Sequence, residues 1–93
     1  MGLRFEWDAA KARLNLSKHS VSFEEASTAF GDRRAITIPD PLHSLAEERF
    51  VTIGVSETGK IPVVVATERG DSLRLISARP ASKREKKQYE EAD

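Results

Sequence analysis

The chain has no cysteine, which removes disulfide stapling, iron–sulfur ligation and thiol catalysis together. Its formal net charge is zero, so it is not a generic polycation drawn to any nucleic acid. No apolar run approaches the ~20 residues a membrane-spanning helix needs, and the first residues lack the apolar core of a signal peptide. A cytoplasmic protein with soluble partners is therefore expected. The two histidines, His19 and His43, lie far apart, and no HExxH-type spacing or carboxylate triad accompanies them. A Gly-rich phosphate loop and a Gly-x-Ser-x-Gly elbow are also missing. No metal and no cofactor are expected.

What remains is a 93-residue chain with 39% hydrophobic and 32% charged residues, the profile of a single small globular domain spanning 1–93. Its charges are unevenly placed. Acids gather at Glu24-Glu25, Glu47-Glu48 and Glu90-Glu91. From Arg79 to Lys87 there are five cations (Arg79, Lys83, Arg84, Lys86, Lys87) against the lone anion Glu85. A surface polarised in this way can meet phosphates without making the whole protein basic.

The periodicity divides the chain into elements. Arg4 to Trp7 reads as a short strand, and Asp8 as the N-cap of a helix from Ala9 to about Lys18, with Ala12 and Leu16 inward. Ser22-Phe23-Glu24-Glu25 reads as a capping box opening a second helix, which Gly31-Asp32 stops. The period then changes to strands at Ala35–Ile38, Arg49–Val55, Ile61–Thr67 and Leu73–Arg79. Gly70-Asp71 makes a tight hairpin that sets Val65 opposite Ile76 and Ala66 opposite Leu75. Ser82 and Glu85 form another capping box, starting a final helix with almost no apolar face beyond Tyr89 and Ala92. The expected class is α+β, with two helices on one face of an antiparallel sheet and a C-terminal helix.

Both ends of the chain resemble one family. Phe5-Glu6-Trp7-Asp8, Lys11, Asn15, Lys18-His19, Val21, Phe23-Glu24-Glu25-Ala26 and Phe30 are similar to the opening signature of the BrnT toxins. Ile76-Ser77-Ala78-Arg79-Pro80-Ala81, Glu85 and Tyr89 are similar to the closing one. The resemblance implies a RelE-like fold and an endoribonuclease that blocks translation by cutting mRNA. It also implies a BrnA-like antitoxin that binds the toxin directly, in a heterotetramer, and contacts DNA in its place.

Metal-independent RNA cleavage needs a base for the ribose 2′-hydroxyl, cations for the phosphate, and an acid for the leaving 5′-oxygen. His43, in a Pro-bounded loop, suits proton transfer because histidine titrates near neutrality. Arg79 at the end of the last strand suits phosphate contact, and Arg49 is placed to converge on the same edge. By simple alternation Arg74 points away from Arg79 unless the strand twists or bulges. Lys83, Arg84 and Lys87 form an electrostatic rail for RNA, with Tyr89 either stacking on a base or anchoring the helix. His19 and Glu85 are explained by capping.

Two other classes stay open. The neutral charge and weakly apolar last helix also fit a non-catalytic protein-binding module. A DNA-binding repressor fits less well, because no helix-turn-helix pattern appears and Glu24-Glu25 would repel phosphates.

Overall fold

The computed structural model describes residues 3–40 and 48–92. Strand β1 (Arg4–Glu6) leads through Asp8 into helix α1 (Ala9–His19). The Asp8 carboxylate accepts from the amides of Ala10 (2.8 Å) and Lys11 (3.2 Å), satisfying donors that a helix start leaves open. The helix ends at Ser20, whose left-handed backbone (φ 60°) lets its N–H return to the Leu16 carbonyl. Ser22 then caps helix α2 (Phe23–Thr28), which tightens into a 3-10 turn at Ala29–Gly31. Only half of the expected capping box forms there. Glu25 does not reach back to Ser22; its carboxylate accepts from the hydroxyls of Ser56 and Thr58. Two hydroxyl donors brought in by the turn that follows Ile53 outcompete one local amide, and they hold Glu25 below the usual carboxylate range.

Strands β2 (Ile36–Pro39), β3 (Arg49–Ile53), β4 (Pro62–Arg69) and β5 (Ser72–Pro80) follow, and then helix α3 (Lys83–Glu91). The described residues form a five-stranded sheet in the order β1-β5-β4-β3-β2. The meander from β2 to β5 is antiparallel, as expected. β1, however, pairs parallel to β5, with Arg4 opposite Ser72 and Glu6 opposite Arg74. The sheet is therefore mixed, which corrects the expectation of a purely antiparallel one. The helices and the meander together supply the long crossover that parallel neighbours require. Three residues carry too little pattern to reveal such a partner.

The hairpin turns at Gly70-Asp71, with Arg69 opposite Ser72 and Gly70 at φ 58°. Ala66 faces Leu75 as expected. Val65 faces Ser77 instead of Ile76, because the register shifts between Val65 and Ala66 and leaves Ile76 as an extra residue. Such a β-bulge inverts the alternation beyond it. The inversion explains how Leu75 and Ala78, three positions apart, both enter the same core.

That core joins Val64, Ala66, Leu75 and Ala78 of the sheet to Val21, Phe23 and Ala26 of the helical layer. Phe23 is fully buried and meets Trp7 nearly edge-on at 5.8 Å. Burying such a ring contributes about 1.5–3 kcal/mol. Phe5 and Phe30 close one side of the layer at 5.3 Å.

On α1 the inward position belongs to Asn15, while Leu16 is 49% exposed, against expectation. The Asn15 amide nitrogen donates to the carbonyls of Ala78 (2.8 Å) and Val21 (3.0 Å). Its oxygen accepts from the Ala78 N–H at 3.1 Å. β1 pairs only with Ser72 to Arg74, so the β5 edge beyond needs another partner. A carboxamide supplies donor and acceptor together, as a neighbouring strand would, and a leucine could not.

Replacing Asn15 therefore tests the architecture. Asn15→Ala strands buried backbone groups and is expected to cost about 2–4 kcal/mol in urea unfolding. Asn15→Asp, nearly the same shape, is expected to lose at least as much at neutral pH, because a carboxylate cannot donate to either carbonyl. Wild-type stability in both variants would show that the clamp is dispensable.

Candidate functional site

The cations proposed to meet RNA are positioned by the sheet register. Arg49 on β3 pairs with Thr67 on β4, Thr67 with Arg74 on β5, and Arg74 with Glu6 on β1. These four side chains form one row on the face opposite the helices. Arg79 pairs with Val63, four residues from Thr67 on the same strand, so it belongs to that face too. The bulge at Ile76 thus brings Arg74 and Arg79 onto one side, where simple alternation had set them apart. Arg49 and Arg79 do not meet at one strand end, however. Their rows lie about 13 Å apart along the strands.

Each arginine has its own setting. Arg74 donates to Glu6 at 2.7 Å within the row. Arg79 donates from Nη1 and Nη2 to the two oxygens of Glu85, both at 2.8 Å, and from Nη1 to the Pro80 carbonyl at 3.3 Å. Its side chain is nevertheless 46% exposed. Glu85 completes the capping box as well, accepting from the Ser82 N–H at 2.9 Å while Ser82 accepts from the Glu85 N–H at 3.1 Å. The Arg79 guanidinium, seconded by the Ser82 amide, holds the Glu85 carboxyl down at about 2. One carboxylate thus caps α3 and orients the arginine ahead of it.

α3 buries no residue fully. It is tied to the body through Tyr89, whose hydroxyl donates to Asp32. Asp32 also accepts from the amides of Val55 (2.9 Å) and Arg34 (3.0 Å). These three donors, Tyr89 foremost, hold Asp32 below the usual carboxylate range, and the Asp32 carboxylate in turn pushes the Tyr89 phenol upward. Tyr89 is half-buried and acts as the anchor of α3. Lys83, Arg84, Lys86 and Lys87 are all exposed along the helix, with Lys83 and Lys87 one turn apart. A groove of about 720 Å³ separates α3 from the end of α1 and the β3–β4 turn, with Leu16, His19 and Lys86 among its walls.

His43 lies outside the described residues. The residues bordering its segment are well tied: the Asp40 N–H donates to the Arg49 carbonyl at 2.8 Å, and the Thr67 hydroxyl donates to the Glu48 carbonyl at 2.6 Å. Among the described residues, no three His, Asp or Glu side chains come together in a way that could hold a metal ion. No described helix is long and apolar enough to cross a membrane. Sequence reasoning missed Asp32 as the seat of α3 and Asn15 as the clamp behind Arg79. For Asn15 the signals were its place in the opening signature and a polar residue next to the inward face of α1.

The Glu85 pair makes a prediction about pH. Because the folded carboxyl titrates below its ordinary value of 4.5, its stabilisation is fully present above that value and fades as pH falls toward about 2. The stability gap between the wild type and Glu85→Gln is expected to be constant near neutrality and to shrink over that acid window. Acid titration followed by denaturant midpoint checks it; a gap independent of pH would contradict the pairing.

Comparison with known proteins adds to this geometry. A family model described as the ribonuclease toxin, BrnT, of type II toxin–antitoxin systems matches residues 7–85. The crystal structure of the Brucella abortus ribonuclease toxin, BrnT, is similar with a TM-score of 0.68 at 25% identity, covering 88% of this chain and 100% of that one. Comparison with curated proteins finds no match. From Trp7 to Glu85, and in the α+β fold that carries those residues, the chain belongs to the BrnT family of ribonuclease toxins of type II toxin–antitoxin systems.

Proposed function

We propose that this BrnT toxin is an endoribonuclease of RelE-like mode that cuts mRNA without a metal ion and so arrests translation in the cytoplasm. Arg79 and Arg49 contact phosphate, and His43 transfers protons at the ribose and the leaving oxygen. Lys83, Arg84 and Lys87 guide the RNA backbone as an exposed rail, while Tyr89 holds their helix in place. A BrnA-like antitoxin silences the toxin by direct binding, in a heterotetramer, and supplies the contact with DNA. The observation that carries the reading is Arg79: a partly exposed guanidinium, fixed in orientation, at the foot of a cation-rich helix in a ribonuclease family.

A non-catalytic protein-binding module is the second reading. It is favoured by the zero net charge and by the engagement of Arg79 with Glu85.

Cleavage of a defined mRNA by the partner-free protein in EDTA, with and without ribosomes, separates the two. Specific cuts in EDTA are expected, and Arg79→Ala and His43→Ala are each expected to slow them by about 10²-fold or more with unchanged circular dichroism. Cuts that appear only on adding magnesium would overturn metal independence. Full-rate cleavage by both folded variants would overturn the site. No cuts in any arm, together with a tight antitoxin complex, would establish the binding module.

A further inference from the structure

The Arg79–Glu85 pair leaves a specific part of the guanidinium unused. Of the five N–H donors, one each from Nη1 and Nη2 goes to Glu85 and the second of Nη1 goes to Pro80. The donors left over are Nε–H and the outer Nη2–H. They are adjacent and parallel, the side-on fork that matches two oxygens of a phosphate. Glu85 cannot easily swing away, because its Oε1 also accepts the Ser82 N–H and its helix is tied to Asp32 through Tyr89. The exposures fit this division, with Glu85 at 23% and the Arg79 side chain at 46%.

We infer that Glu85 is a positioning residue of the ribonuclease site: it grips Arg79 end-on and so presents the Nε/Nη2 fork, already oriented, to two non-bridging oxygens of the RNA phosphate. The inference rests on the proposed phosphate role of Arg79. A long flexible side chain held before substrate arrives needs no further ordering when the phosphate charge develops. The grip also has a cost. A carboxylate beside the arginine weakens its attraction for any polyanion, so Glu85 serves geometry at the expense of affinity.

This division yields a signature in the kinetics. For a short fluorogenic RNA in EDTA, Glu85→Gln is expected to lower kcat by about 10²-fold, the scale of a misplaced catalytic contact, with KM unchanged or lower. In an Arg79→Ala background the same change is expected to have no further effect. Ser82→Ala, which removes the other half of the capping box and leaves the grip, is expected to keep the wild-type kcat. Arg79→Lys, which can pair with Glu85 but offers no second fork, is expected to fall as far as Arg79→Ala. It also serves as the test should Glu85→Gln fail to fold.

Each contrary outcome is decisive. Glu85→Gln with wild-type or higher kcat, beside an inactive Arg79→Ala, would overturn the positioning role and leave the phosphate role of Arg79 standing. Equal losses in Ser82→Ala and Glu85→Gln would reduce Glu85 to a helix cap. Full activity in Arg79→Lys would show that no second fork is used. Full activity in Arg79→Ala would remove the phosphate role itself, and the inference with it.

Discussion

Asn15 joins three parts of the molecule through one carboxamide: α1, the start of α2 through Val21, and the β5 edge through Ala78. Its neighbours in the core are apolar and interchangeable in kind, since burial is not directional. The Asn15 bonds are directional, and they fix how the helical layer meets the sheet. They also reach the residue immediately before Arg79. The arginine proposed to meet phosphate therefore projects from a backbone clamped one position upstream.

Downstream of that clamp the mode of support changes. α3 is held by a capping box, an arginine–carboxylate pair and one phenol–carboxylate bond, with no residue fully buried. Exposed ion pairs contribute at most about 1 kcal/mol each, well below what the fully buried Phe23 supplies. α3 is thus held by directed polar bonds rather than by burial. The proposed RNA rail stands on this element, and the orientation of Arg79 depends on it.

The zero net charge looks different once the acids are located. Glu25, Asp32 and Glu85 each accept from two or three donors that link separate elements or start a helix. The cations of α3 remain exposed. A balanced composition is therefore compatible with a locally cationic stretch, because Glu25, Asp32 and Glu85 serve as acceptors within the structure while the cations from Lys83 to Lys87 face outward.

Much of the fold was legible because its causes are local. Asp8, Ser22 and Ser82 mark helix starts by their own side chains, Gly70 supplies the positive φ of a two-residue turn, and the aliphatic strands alternate as a meander should. The end signatures likewise identified the family from residue types and their order. The sequence by itself determined the elements, the hairpin and the cation-rich helix start, since each follows from near neighbours in the chain. Tertiary structure alone decided that β1 joins β5, that Ile76 bulges, that Asn15 displaces Leu16 from the interior, and that Glu25 serves Ser56 and Thr58. In each case a backbone or carboxylate group must be satisfied by a partner distant in sequence, and which partner is near depends on how the whole chain packs.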